Sequence, residues 1–219
     1  MLALYGHRFS SYTWKALIPL YANGTAFEFR DVDPGAEDGP ANMDFVRKAH
    51  PAGKFPVLVD GETTVIEATS IVEYLALHRP GEAPLIPADP AQAATARMMD
   101  RVFDNYLMGT AQLVVNAYLA DAQNPDPQQL QLGREGLKRA YTWLDTWLAK
   151  NALPPHVSLV TCAAAPSLFY ADWIERIPAD CPRVAALREE ILALPPVAHC
   201  VDDARSYRSY FPLGAPNRD

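Results

Sequence analysis

The spacing of apolar residues changes several times within the first 79 residues and then stays helical. Alternating apolar and polar residues are typical of a strand with one buried face, whereas apolar residues three and four positions apart are typical of an amphipathic helix. Two β-branched runs joined at Asp60–Gly61 also indicate a hairpin. The first 79 residues therefore predict a small α/β domain with the order β-α-β-α-β-β-α.

A proline-rich segment follows this domain. Residues 80–91 hold four prolines, so they cannot form one regular element. Beyond them the pattern contains only helices, beginning with one long helix over residues 91–122. We predict an α/β domain over residues 1–79, a linker over residues 80–91 and an all-α domain over residues 92–219.

Charge and cysteine content exclude several classes of function. A net charge of −7 argues against a nucleic-acid partner, which needs clustered Lys and Arg. No apolar run approaches the ~20 residues of a membrane span, and the first residues lack the pattern of a signal peptide. Three cysteines without a CxxC motif predict reduced thiols, a cytoplasmic location and no metal site.

Two adjacent hydroxyls mark the joint between the first strand and the first helix. The stretch "GHRFSSYTWK" places Ser10 and Ser11 directly before the apolar residues of that helix. One hydroxyl is explained as a helix cap, since a serine there accepts a hydrogen bond from an unpaired backbone N–H. The second hydroxyl has no such explanation and points to a function.

The order of elements and three motifs resemble a known family. The first 79 residues resemble a thioredoxin-like domain and, followed by an all-α domain, the chain resembles the cytosolic glutathione S-transferases. The resemblance is to bacterial-like, serine-type members similar to the zeta, theta and omega branch. It depends on the joint "RFSSYTWK", on "GKFPVLV" and on "VIEATSIVEYL". No cysteine is present at the joint, which excludes dithiol exchange there.

The resemblance implies a role for the two serines. Ser10 matches the hydroxyl that donates a hydrogen bond to the glutathione sulfur, and Ser11 is the neighbour that could cap the helix. The opposite assignment, with Ser11 as the donor, stays open. Tyr5 is a further candidate, because tyrosine-type members place their donor at the end of the first strand; packing in the core is the alternative for Tyr5.

The resemblance also implies a peptide-binding loop. Lys54 would meet the glycyl carboxylate of glutathione. The backbone N–H and C=O of Phe55 would pair with the cysteinyl part, and Pro56, if cis, would aim those groups at the ligand.

The start of the third helix would hold the γ-glutamyl group. Glu67 matches the residue that binds its ammonium, whereas Ala68 replaces the hydroxyl that binds its carboxylate in the family. The helix N-terminus and Thr69 are left for that carboxylate.

The implied activity is that of a glutathione transferase in detoxification, with glutathione as co-substrate and a small electrophile as partner. Conjugation, dehalogenation and isomerisation all stay open. The electrophile pocket is expected between Arg8 and Phe9 of the joint and Asn105 and Tyr106 of the second domain. A cytoplasmic homodimer is implied. Two alternatives are a non-catalytic protein of the same fold that binds glutathione or an apolar ligand, and a protein-interaction module.

Overall fold

The computed structural model describes residues 1–219. Its first part contains four strands and three helices in the predicted order, which confirms the thioredoxin-like domain. The elements are β1 (Leu2–Gly6), α1 (Ser11–Ala22), β2 (Glu28–Asp31), α2 (Gly39–Ala49), β3 (Val57–Asp60), β4 (Thr63–Ile66) and α3 (Ala68–His78).

The four strands form one mixed sheet with the order β2-β1-β3-β4. β1 is parallel to β2 and antiparallel to β3, so it lies inside the sheet. β3 and β4 form the predicted hairpin, and Gly61 supplies the positive φ of its turn, 61°. The joint to α1 therefore lies at the C-terminal end of β1, an inner strand that ends at Gly6.

The second part contains only helices, as predicted. They are α4 (Pro90–Val102), a π-helical turn (Phe103–Met108), α5 (Gly109–Ala120), α6 (Pro127–Leu148), α7 (Leu159–Ile174), α8 (Pro182–Leu192), α9 (Pro195–Ala204) and a 3₁₀ turn (Arg205–Tyr210). The fold class is therefore confirmed, while the exact domain boundaries stay a prediction. None of these helices combines the length and the apolar character needed to cross a bilayer.

The predicted long helix is present with an interruption. α4, the π turn and α5 follow one another directly from residue 90 to residue 120. A π turn inserts an extra residue into the helical repeat, so the side chains after it are rotated relative to those of a regular α-helix.

One core joins the two parts of the chain. Every residue of α7 is buried, and α7 packs directly on α1. The rings of Trp14 and Phe169 lie 5.0 Å apart between their centroids, and both belong to the same apolar cluster as Leu4 of β1. The joint between β1 and α1 is therefore fixed against the second domain.

Candidate functional site

A cleft of about 670 Å³ lies where the joint meets the helical domain. Its walls come from the joint and the loop before β3 on one side, and from α5, α7 and the C-terminal segment on the other. It brings together four of the predicted site residues: Ser10, Ser11, Lys54 and Phe55. Pro56, Glu67 and Ala68 do not line this cleft.

Ser10 caps α1. Its backbone is extended (φ −85°, ψ 127°), and its Oγ accepts a hydrogen bond from the Thr13 N–H at 3.3 Å. The expectation that Ser11 provides the cap is therefore wrong, because Ser11 is already the first helical residue. A hydroxyl that accepts one bond keeps its own proton for donation. Ser10 can thus cap the helix and donate into the cleft at the same time.

Side chains from two directions hold the backbone of the joint. The indole Nε1–H of Trp14 donates to the Arg8 carbonyl at 2.6 Å, and the Tyr170 hydroxyl donates to the Phe9 carbonyl at 2.7 Å. Burial raises the pKa of Tyr170, so this phenol remains a donor. The conformation that presents Ser10 therefore depends on a residue of α7 in the second domain.

The loop before β3 presents free backbone groups. The Phe55–Pro56 peptide bond is cis, as the resemblance implies, and Pro56 is buried. Neither the N–H nor the C=O of Phe55 has a hydrogen-bond partner within the chain. Lys54 is exposed beside them. This edge of the cleft can therefore pair with the backbone of a peptide-like ligand.

Glu67 directly precedes α3 and has an unusual backbone conformation. Its φ of 67° is the only positive φ at a residue other than glycine. Such conformations cost about 1–3 kcal/mol and are concentrated at functional sites. The carboxylate is 70% exposed, and its Oε1 lies 3.2 Å from Nε2 of the buried His50. Sequence reasoning missed His50, since no spacing links it to Glu67.

The Thr69 hydroxyl is hydrogen-bonded within a buried network of charged side chains. Its Oγ1 accepts from Lys15 Nζ at 2.8 Å and donates to Asp100 Oδ2 at 3.0 Å. Lys15 Nζ also lies 2.5 Å from Asp100 Oδ1 and 2.7 Å from Asp104 Oδ2, with its side chain only 1% exposed. The Thr69 hydroxyl is therefore committed to its own chain. The start of α3 keeps its backbone donors, the exposed hydroxyl of Ser70 and the guanidinium of Arg101, which contacts Thr69.

The network perturbs two acid groups near the joint. Burial raises the pKa of Asp104, and the neighbouring Lys15 opposes that effect. Burial, with the nearby Asp104 charge adding to it, raises the pKa of Tyr12 to about 12. Tyr12 lines the cleft beside the serines, so it offers a neutral phenol and not a phenolate.

Three predicted lining residues lie elsewhere. Asn105 is exposed, and Tyr106 is 61% exposed in a different cleft that it shares with Trp143 of α6. Both residues belong to the π turn. Arg8 also points elsewhere: it pairs with Asp203 and stacks over Phe29 at 4.3 Å. Phe9 alone of the predicted set lines the cleft.

Tyr5 does not reach the cleft. Its ring is stacked on Phe45 at 4.4 Å in a small apolar cluster on the α2 side of the sheet. This packing favours the alternative interpretation of Tyr5 as a structural aromatic.

The far wall of the cleft is apolar with one polar pair. Side chains of α5, α7, the C-terminal segment and the last residue of the π turn form it, among them Met108, Val115, Leu119, Tyr170, Ile174 and Phe211. Gln112 and Asn116 of α5 are joined by a 2.8 Å hydrogen bond within this wall. The only charged side chain around the whole cleft is Lys54. Sequence reasoning missed this wall because no motif links its three segments.

Comparison with known proteins identifies the first domain. The family model described as "Glutathione S-transferase, N-terminal domain" matches residues 4–83. Glutathione S-transferase 1 of Dianthus caryophyllus is 27% identical over 173 residues, covering 76% of each chain. Maleylacetoacetate isomerase of Mus musculus is 22% identical over 195 residues, covering 87% of this chain and 88% of the relative.

A solved structure extends this likeness over both domains. A glutathione transferase family member from Pseudomonas fluorescens Pf-5, with bound glutathione, superposes with a TM-score of 0.71 at 25% identity. The match covers 91% of this chain and 98% of that one.

Proposed function

Because this chain belongs to the glutathione transferase family, we propose that it binds glutathione at the joint and uses the glutathione thiolate on a small electrophile. The observation that carries the proposal is the cleft in which Ser10, Ser11 and the free backbone groups of Phe55 meet. Such a reaction needs a hydrogen-bond donor for the glutathione sulfur, backbone groups that pair with the peptide and an apolar wall that holds the electrophile.

Activation of the thiol is the main energetic task. A free thiol with a pKa of about 8.5 is only ~3% thiolate at about pH 7. Lowering that pKa by two units gives roughly three-quarters thiolate and needs about 2.7 kcal/mol. The Ser10 hydroxyl and the unpaired N–H groups of the first turn of α1 provide donors for the sulfur. The thiol proton passes to solvent, and the thiolate sulfur attacks the electrophilic carbon to form the C–S bond. With a halogenated electrophile the carbon–halogen bond breaks and the halide leaves with the bonding electron pair.

Residues beside the serines bind the other parts of glutathione. The N–H and C=O of Phe55 pair with its cysteinyl part, and Lys54 meets the glycyl carboxylate. Glu67, with His50 behind it, receives the γ-glutamyl ammonium. Ala68 gives no hydroxyl to the γ-glutamyl carboxylate, so that group depends on the backbone N–H groups at the start of α3.

The character of the cleft favours a neutral, apolar electrophile. A cleft with one cation, already assigned to glutathione, offers nothing to pair with two further carboxylates. We therefore propose conjugation or dehalogenation of an apolar, aromatic-sized electrophile over isomerisation of a dicarboxylate such as maleylacetoacetate. Turnover of 1-chloro-2,4-dinitrobenzene in preference to maleylacetone supports this choice, and the reverse preference contradicts it.

We further propose a cytoplasmic homodimer. Buried, unbonded cysteines fit a reducing compartment. Tyr106 and Trp143, which are 61% and 45% exposed around a common cleft, offer an apolar surface to a second copy. Light scattering of the purified chain at twice the monomer mass supports the dimer, and the mass of one chain refutes it.

The serines give the direct test of function. Ser10→Ala should lower kcat about 4- to 40-fold near neutral pH, because the charge-assisted bond that it removes contributes about 1.5–3 kcal/mol, and its loss leaves roughly 2–20% of the bound thiol ionised. The loss should shrink above the free-thiol pKa of about 8.5, where solvent ionises the sulfur unaided.

Ser11→Ala is the matched control, and thermal unfolding measures the loss of the helix cap separately. If kcat is unchanged in Ser10→Ala and falls in Ser11→Ala, then Ser11 is the hydroxyl that donates to the thiolate. If neither substitution changes turnover and glutathione still binds, the result favours a non-catalytic protein that binds glutathione.

A further inference from the structure

We propose that His7, held by Asp33, is a positioning residue for the thiol-activating serine. The proposal rests on the function proposed above for Ser10, and it concerns a histidine that contacts neither substrate. His7 is the first residue after β1, and Asp33 follows β2. The parallel pairing of these two strands brings the two side chains together across 26 residues of sequence.

The two nitrogens of the His7 ring have different partners. Nε2 lies 2.8 Å from Asp33 Oδ2, and Nδ1 lies 3.1 Å from the backbone nitrogen of Phe9. The other carboxylate oxygen of Asp33 accepts from the Gly35 N–H at 2.6 Å. The side chains of His7 and Asp33 are only 12% and 7% exposed. The ion pair between these two side chains is therefore largely shielded from water.

These partners define the tautomer of the ring. The Phe9 N–H can only donate, so Nδ1 must be unprotonated, and Nε2 carries the hydrogen that Asp33 accepts. The hydrogen bonds from His7 and Gly35 hold the pKa of Asp33 below its usual value, which keeps it an anion. Asp33 thus orients the ring in the way that a carboxylate orients a catalytic imidazole, although here the ring serves the backbone.

The hydrogen bond between His7 Nδ1 and the Phe9 N–H helps to fix the turn that contains Ser10. The His7 carbonyl accepts a hydrogen bond from the Ser10 N–H at 2.9 Å. Two consecutive backbone N–H groups of the joint, those of Phe9 and Ser10, therefore both donate to His7. The ring is also enclosed by Tyr207 and Tyr210 at centroid distances of 4.7 and 5.7 Å. Ser10 then accepts from Thr13 at the start of α1. His7 therefore sets the turn from which the Ser10 hydroxyl enters the cleft.

Two substitutions of His7 test the roles of its two ring nitrogens separately. In His7→Asn the side-chain oxygen takes the place of Nδ1 and still accepts from Phe9, but Asp33 is not reached. In His7→Gln the amide nitrogen takes the place of Nε2 and still donates to Asp33, but the acceptor for Phe9 is lost. The matched control is His78→Gln, an exposed histidine at the end of α3.

The first measurement is amide hydrogen exchange at Phe9 and Ser10, which needs no glutathione. We expect His7→Gln to speed exchange at Phe9 about two- to tenfold, the range that one neutral hydrogen bond supports. His7→Asn and His78→Gln should leave it close to the wild-type rate. Unchanged exchange in a folded His7→Gln protein would overturn the proposal.

The second measurement separates positioning from stability. In His7→Gln we expect kcat to fall about two- to tenfold with the KM for glutathione unchanged, and the pKa of the bound thiol to rise. Rescue by His7→Asn supports the role of Nδ1. A lower melting temperature with unchanged kcat and thiol pKa would make His7 merely structural.

Absence of any bound thiolate in the wild-type protein would refute the proposed function instead. The exchange result would then still decide whether His7 fixes the turn.

Discussion

Replacing the buried lysine tests how the two domains are held at the joint. Lys15 of α1 lies between Asp100 of α4 and Asp104 of the π turn, and its side chain is 1% exposed. Lys15→Met keeps most of the apolar stem and removes the charge together with the hydrogen bond that Nζ donates to Thr69. The two carboxylates would then face each other with Arg101 as the remaining cation.

The expected cost follows from burial. Removing one partner of a buried ion pair costs about 3–5 kcal/mol, because the remaining charge has lost both water and its partner. For a chain of this size each kcal/mol lowers the melting temperature by roughly 2–4 °C, so we expect a fall of about 6–20 °C. Lys138→Met is the matched control: Lys138 is 57% exposed beside Glu175 on the surface, where such pairs contribute about 0–1 kcal/mol.

The pH dependence has a definite sign. Burial already raises the pKa of Asp104 and Lys15 opposes this, so loss of Lys15 raises the pKa further. A carboxyl whose pKa is higher in the folded state binds its proton more tightly there. Its contribution to stability is therefore largest at low pH. It is lost as pH rises from the ordinary Asp value of about 3.9 through the raised pKa.

Urea unfolding followed by circular dichroism at about pH 5 and about pH 7.5 measures both effects. We expect the deficit of Lys15→Met to be larger at the higher pH. Addition of Asp104→Asn should recover part of it, because one of the two facing charges is gone. A deficit below about 1 kcal/mol, equal at both pH values, would refute the account of the network.

The remaining predictions concern the start of α3. Glu67→Gln removes the charge opposite the γ-glutamyl ammonium, and calorimetry should give about tenfold weaker glutathione binding; an unchanged dissociation constant would place that ammonium elsewhere. Ala68→Ser restores the hydroxyl expected at the first position of α3. It should tighten glutathione binding about fivefold, because a new bond to the γ-glutamyl carboxylate adds about 1 kcal/mol to those from the helix N–H groups. Equal or weaker binding would show that the carboxylate does not lie there.

Local patterns predicted the fold because each depends on neighbouring residues. The hairpin at Asp60–Gly61 and the strand-to-helix joint are both encoded within about ten residues, and both are found. The cis Phe55–Pro56 bond is also found, but it was implied by the resemblance of "GKFPVLV" to the family and not by a local pattern. Such features need no knowledge of what lies across the molecule.

Contacts between distant segments could not be predicted in this way. Lys15 and Asp104 are 89 residues apart, and a lone lysine in a helix is usually exposed to solvent. His7 and Asp33 meet only because β1 pairs with β2. The sequence also contained no signal for the π turn to which Tyr106 belongs, or for the separate cleft that Tyr106 lines.

The central claim is that the cleft at the joint ionises glutathione. Ultraviolet titration of glutathione bound to the wild-type protein reports its thiolate directly, with S-methylglutathione as the control that cannot ionise. We predict a thiolate signal whose apparent pKa is about two units below the free value of ~8.5, and its loss in Ser10→Ala. Glutathione that binds with an unshifted thiol pKa, or a signal that survives in Ser10→Ala and Ser11→Ala alike, would contradict the account.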